Sequence, residues 1–318
     1  MNLSDIYARG EGFFAQKEFG LLMEYVETGF IQDNDRLVLD RTTIRQRCID
    51  AVPASTTCSH LGVDLATPVV MSAMTMPIPA IAEDGLLQVA RGLKAAGSLM
   101  WTGTPLPNNL SELTATGVPL AANVKPLKDR DTMHREIEAI LEGGAAWLGL
   151  EIDSGQGTKV QDREMGFDCT PFQQSELEAI RKKSPIPVVC KGVLSPEDAK
   201  KCVDSGADMI VLSNHGGHTL DYLPHPFQVM EEVVAAVDGK ATIMVDGGFR
   251  RGSDIFKGLA MGAALTGIGR PILLGLAADG ETGVTAVVQA ITRELERIMT
   301  MAGVAVPAEA TPDLLISF

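Results

Sequence analysis

Three groups of residues could carry chemistry. His215 stands in the run Ser213-Asn214-His215-Gly216-Gly217-His218, where glycines let a ligand approach an imidazole closely. An imidazole becomes a general base when a carboxylate fixes its tautomer, and Asp153 ends another apolar run at a suitable place. Without such a partner, His215 reads as an ordinary hydrogen-bonded loop residue. Lys191 closes the apolar stretch IPVVCK, and lysine is seldom buried unpaired. A Schiff-base nucleophile, an electrostatic stabiliser and a snorkelling structural lysine all remain open. The third group is DGGFRRG, a helical stretch, then GIGRP. Its glycine turns and two helix N-termini offer N–H groups to an anion, and Arg250 and Arg270 can add charge-assisted bonds. The spacing predicts a phosphate site, with surface ion pairs as the competing reading.

The elements that must hold these groups follow a repeating pattern. Four times a helical stretch ends in a small-residue turn and runs into an apolar strand: LKAAG-SLMWT, LEGGAA-WLGLEID, VDSGAD-MIVLSN and LAMGAA-LTGIG. Glycine suits the left-handed helix end, and strands apolar on both faces suit a parallel sheet covered by helices. Further strands are predicted at 67–72, 118–123, 186–191 and 241–246. Amphipathic helices are predicted at 83–96, 129–142, 173–184, 195–205, 224–238 and 250–261. Eight alternating units give an α/β fold, a closed (β/α)8 TIM barrel. An open doubly wound sheet would want G-x-G-x-x-G after its first strand, and the sequence has none. Residues 1–66 read as an N-terminal helical cap segment of the same domain, residues 67–318 as the barrel, and 281–301 as a long C-terminal helix.

In such a barrel, reactive side chains gather at the C-terminal ends of strands. Those ends carry Ala73, Met74 and Thr75; Gly103; Asn123 and Lys125; Glu151 and Asp153; Lys191; Ser213 to His218; Asp246, Gly248 and Arg250; and Gly269 and Arg270. The 318 residues carry a formal net charge of −14, which argues against nucleic acid or anionic membrane as partner. The five scattered cysteines lack metal spacing and read as reduced thiols. No secretion signal and no apolar run near the ~20 residues of a spanning helix are evident, so a cytoplasmic protein without a membrane span is expected. His60, His134 and His225 read as structural.

The run from SNHGGHTLDY through DGGFRRGSDIFKGLAMGAALTGIGRPILLG closely resembles the FMN-dependent α-hydroxy acid dehydrogenases and oxidases, the group of glycolate and lactate oxidase. The segment EYVETGFIQDNDRLVLDRTTIRQ is similar to that family's tyrosine-bearing cap. The resemblance implies an enzyme with FMN as cofactor, oxidising the α-carbon of a small 2-hydroxy acid or related hydroxy compound to the keto product. His215 would be the base, oriented by Asp153, with flavin N5 as electron acceptor and Lys191 stabilising charge on the reduced ring. Tyr25 would hydrogen-bond the substrate. Ala73, Met74, Thr75, Gly103 and Ser213 would line the flavin, Asp246 would contact its ribityl chain, and Gly248, Arg250, Gly269 and Arg270 its phosphate. A homo-oligomer, tetramer or octamer, is implied too. The acceptor that reoxidises the cofactor (oxygen, a quinone or a protein) is left open.

This sequence departs from the family pattern at the substrate end. His218 replaces an arginine that grips the substrate carboxylate, Lys125 a tyrosine, Asn123 a flavin-binding glutamine, and Glu151 a small hydroxyl residue near the flavin. The loop 154–169, which in the family carries a further arginine, is short. Either Lys125 and His218 together supply the positive charge, or the substrate is no longer a simple carboxylate. A flavin barrel with non-redox, isomerase-type chemistry and a phosphate-ligand barrel without hydroxy acid oxidation stay open as alternatives.

Overall fold

The computed structural model describes residues 2–17, 25–157 and 167–317. Eight strands form one parallel sheet: β1 (Val69–Met71), β2 (Met100–Thr102), β3 (Leu120–Val124), β4 (Trp147–Glu151), β5 (Val188–Lys191), β6 (Met209–Leu212), β7 (Thr242–Val245) and β8 (Leu265–Ile268). From β2 to β8 each strand pairs with the next, and β8 pairs with β1. The remaining seam is joined where Met71 N–H donates to the Leu99 carbonyl and Met74 N–H to the Trp101 carbonyl, both at 3.1 Å. The expected TIM barrel is therefore present, with all eight strands where the sequence places them.

Strands turn alternate side chains to opposite faces, so each apolar run carries two sets. Val70, Trp101, Ala121, Trp147, Val189, Val211, Met244 and Leu265 fill the barrel interior. Met71, Leu148, Cys190, Ile210 and Val245 belong to the core shared with the surrounding helices. Extending the inner parity to the strand tops brings Asn123, Glu151, Lys191, Asp246 and Gly269 inward. Parity thus turns an apolar pattern into a list of site positions.

The helices fall at Gly85–Ala95, Arg130–Glu142, Gln174–Lys183, Pro196–Asp204, Met230–Val237 and Gly252–Ala260. Between β2 and β3 lies Leu110–Ala115, six residues that offer too little periodicity to be read from sequence. The stretch predicted as helical over 224–238 begins instead with a single 3-10 turn, Pro226–Gln228. That turn is pinned by buried His225, whose Nδ1 accepts from Phe227 N–H and whose Nε2–H donates to the Gly247 carbonyl, both at 3.1 Å. Burial pushes the His225 pKa down to about 4, so the ring is a neutral strut, in keeping with a structural role.

The C-terminal helical stretch runs from Arg270 to Ala302 but breaks at Asp279 and Gly280, which leave helical dihedrals. It is two helices: the eighth of the barrel, against whose Leu274 backbone Gly10 of Leu3–Gln16 packs, and a second, whose Glu281 and Val284 lie against Gly92 of Gly85–Ala95. A window in this stretch has mean hydropathy 1.3 and would be long enough to cross a membrane by length and composition, but the break at Asp279 and Gly280 divides the stretch. Half of that window is buried against the rest of the chain.

Residues before the barrel do more than cover it. Leu3, Ile6 and Leu39 join the helix-side core. The hairpin Cys58–His60/Val63–Leu65 pushes Val63 and Leu65 into the interior cluster from the other end, each contributing about 1.5–3 kcal/mol by burial. Trp147 Nε1–H donates to the Leu61 carbonyl at 3.2 Å and fixes that plug.

Candidate active site

A cavity opens at the C-terminal ends of the strands. Of the residues singled out from sequence, Ala73, Met74, Thr75, Gly103, Lys125, Glu151, Lys191, His215, His218, Asp246, Gly248, Arg250, Gly269 and Arg270 line it. Asn123, Asp153, Ser213 and Tyr25 do not; each instead holds a residue that does.

At one end, His215 Nδ1 lies 2.9 Å from Asp153 Oδ2 and 3.3 Å from Lys191 Nζ. An ionised carboxylate can only accept, so Nδ1 carries a proton toward Asp153, and the ammonium stands beside it. Nε2 keeps its lone pair for the cavity. Burial works to raise the Asp153 pKa, but the His215 imidazole and its hydrogen bond, with Lys191, hold it below the usual carboxylate range. Gly192, at φ 94°, makes this approach possible, because a Cβ there would collide with the Asp153 carboxylate.

The imidazole sits on an unusual backbone. His215 has φ 56°, a left-handed conformation costly for a residue with a side chain and often found at functional sites. Ser213 Oγ accepts its N–H at 3.1 Å, and Asn214 Oδ1 accepts the Gly216 N–H at 3.2 Å. Asn214 Nδ2 donates to Asp35 Oδ1 at 2.7 Å, so the helix Phe30–Asp40 clamps the His215 loop. Burial pushes the Asp35 pKa up to about 7 against the opposing Asn214 bond and the Arg270 charge. Sequence reasoning missed Asp35; the signal available was an acidic residue at a core-facing helix position.

A second buried network underlies the same end. Trp101 Nε1–H donates to Asn123 Oδ1 at 2.7 Å, Asn123 Nδ2 donates to Glu151 Oε1 at 3.1 Å, and Ser154 Oγ donates to Glu151 Oε2 at 3.1 Å. Lys125, 3% exposed, has its ammonium 5.5 Å from the Phe167 ring centre. The short loop 154–169 lies in part outside the described residues, at 158–166.

The other end is built from backbone and arginines. Gly248, Arg250, Gly269 and Arg270 meet there. The two expected helix N-termini differ. At Gly252–Ala260 the donors are already taken: Arg250 and Arg251 N–H by Asp254, and Gly252 N–H by Glu294. At Arg270 no side chain caps the helix, and the space a Cβ on Gly269 would enter is open. So one N-terminus, not two, is available to an anion. Arg270 donates to the Gly216 carbonyl at 3.0 Å, and its guanidinium lies 4.6 Å over the Tyr25 ring. His218 stacks with Tyr25, centroids 6.0 Å apart. Burial raises the Tyr25 pKa despite Arg270 and Arg250, which keeps a phenol proton available to donate.

Comparison with known proteins places this geometry among relatives. The profile of the FMN-dependent dehydrogenase family matches residues 16–174 and 168–317. An L-lactate oxidase of Nostoc sp. is 32% identical over 315 residues, 86% of each chain. A glycolate oxidase of Arabidopsis thaliana is 31% identical over 310 residues, 86% of this chain and 84% of the other. A peroxisomal (S)-2-hydroxyacid oxidase of the same plant is 40% identical over 177 residues, 55% of this chain, and the match spans about half (48%) of that enzyme. A crystal structure of mandelate oxidase with (S)-2-phenylpropionate superposes with TM-score 0.89 at 28% identity, covering 100% of this chain and 98% of that one.

Proposed function

Because the chain belongs to the FMN-dependent dehydrogenase family, we propose that it oxidises the α-carbon of a 2-hydroxy acid or close analogue, with His215 as the base. The observation that carries this reading is the Asp153–His215–Lys191 cluster, joined at His215 Nδ1, with His215 lining the cavity. The cavity also suits FMN on its own features. It joins an uncapped helix N-terminus with two arginines at one end to a buried ammonium, Lys191, 2% exposed, at the other. Arg250, Arg270 and the Gly248 and Gly269 turns would hold the phosphate, Asp246 the ribityl hydroxyls, and residues 73–75 with Lys191 the ring. Bound there, FMN supplies a two-electron acceptor.

The chain's own groups do the rest. Nε2 of His215 takes a proton from the substrate, and Asp153 stabilises the imidazolium that forms. Lys191 places a fixed positive charge where negative charge gathers, without needing to reorganise. Tyr25 positions Arg270 and His218, which pack on its ring. Lys125 and His218 supply the positive charge that receives the carboxylate. Losing that charge in a variant would weaken binding of an acid but not of its amide.

The test is anaerobic reduction of the FMN-loaded protein by a panel of 2-hydroxy acids and their esters and amides, followed at the flavin absorbance. Bleaching by acids supports the reading. Bleaching by esters and amides alone would move the substrate away from carboxylates, and a protein that takes up no FMN would reject the reading altogether.

A further inference from the structure

Glu151 is the group this chemistry does not ask for. It is 2% exposed, lines the cavity, and pairs in register with Lys191 across β4 and β5. Registered residues on neighbouring strands lie ~5 Å apart and point the same way. A carboxylate so placed opposes the accumulation of negative charge that Lys191 favours.

The hydrogen bonds around it run in one direction. The Trp101 indole can only donate, so Asn123 must present Oδ1 to it and turn its NH2 toward Glu151. Ser154 then donates to the other carboxylate oxygen. Both oxygens accept, as suits an ionised carboxylate, and the donors offset the cost of burying it. Such an arrangement maintains an anion beside the ammonium.

We propose that Glu151 is an electrostatic counterweight to Lys191 that lowers the electron affinity of the bound FMN. This rests on the reading that FMN lies in this cavity with the pyrimidine end of its ring at Lys191. A flavin tuned this way accepts electrons less readily and passes them on more readily. Its driving force is thus shifted from substrate oxidation toward reoxidation.

The experiment is a spectroelectrochemical midpoint measurement on FMN-loaded wild type, Glu151→Gln and Lys191→Met, with no substrate present. Glu151→Gln should raise the two-electron reduction constant at least tenfold, about 30 mV upward, and Lys191→Met should move it the other way. Sulfite, which binds flavins more tightly in a more positive field, should bind Glu151→Gln at least tenfold more tightly. Glu151→Asp, which keeps the charge, should stay within about threefold of wild type on both measures. Glu151→Thr provides a second uncharged variant, expected to follow Glu151→Gln if the latter folds poorly. An unchanged or lowered potential in the uncharged variants overturns the proposal while leaving FMN binding standing. A wild type that binds no FMN removes the reading beneath it.

Discussion

The two ends of the cavity are made of different material. At the His215 end, side chains hold side chains: Asp153 holds His215, Asn123 holds Glu151, and Trp101 and Ser154 hold both members of that pair. At the Arg270 end, turns and one uncapped helix N-terminus border the cavity, with two arginines in support. A chain of mutually dependent side chains fails when any link is removed, because each loss leaves a buried polar group unpaired. A backbone cradle loses only the increment a side chain adds. The ends should therefore answer mutation differently.

The largest effect belongs to the base. His215→Ala should cut kcat by ~10^2–10^4-fold while FMN remains bound, as steady-state rates and the visible spectrum would report. Retained turnover would place the base elsewhere.

Next come the residues behind it. Asp153→Asn should lower kcat/KM by about 100-fold or more, the usual scale for a positioned acid–base group. That variant keeps the shape of the side chain but removes the charge behind the imidazole. Gly192→Ala should mimic this loss without touching an ionisable group, since the added methyl displaces the Asp153 carboxylate. A pH–rate profile of the two variants separates lost charge from lost position.

The other end should respond in affinity. Arg250→Met removes a charge-assisted contact worth ~1.5–3 kcal/mol, so the FMN dissociation constant should rise about 10- to 100-fold. At saturating FMN, kcat should stay within about twofold of wild type. A collapse of kcat instead would erase the contrast between the ends.

The smallest effect concerns stability where the two ends meet. Asp35 has its pKa raised from 3.8 to about 7. Between those values the folded state keeps a proton the unfolded state has lost, so this group's contribution to stability falls as pH rises through the window. His225, lowered from 6.5 to about 4, has the opposite sign: the unfolded state binds the extra proton, and stability falls as pH drops through that window. Asp35→Asn should therefore stabilise the protein by about 2 kcal/mol at pH 8 and little at pH 4, as thermal melts would measure. Equal shifts at both pH values would show that Asp35 does not titrate as its burial requires.

The strands were legible because doubly apolar runs after helix-ending glycines have few other uses, and the ends of those runs placed Asn123, Glu151, Lys191 and Asp246 at the tops. The pairing of His215 with Asp153 was legible from the strand ends that carry them. What the sequence hid were relations between distant segments. Nothing local marks Gly192 as the gap through which Asp153 reaches β6's loop, or Asp35 as the clamp on Asn214. Asp254 and Glu294 cap one of the two helix N-termini, and only the packing of Gly252–Ala260 against the C-terminal helix brings Glu294 there. The hairpin at 58–65 escaped for the same reason, since its apolar residues gain a purpose only from the barrel above them.

A crystal structure of the FMN-loaded protein with an unreactive 2-hydroxy acid analogue bears most directly on the arrangement claimed. The phosphate is expected at Arg270 and Gly269, with His215 Nε2 within hydrogen-bonding distance of the analogue's α-substituent and Nδ1 still on Asp153. An imidazole rotated off Asp153 and away from the analogue, or FMN seated elsewhere, would contradict it.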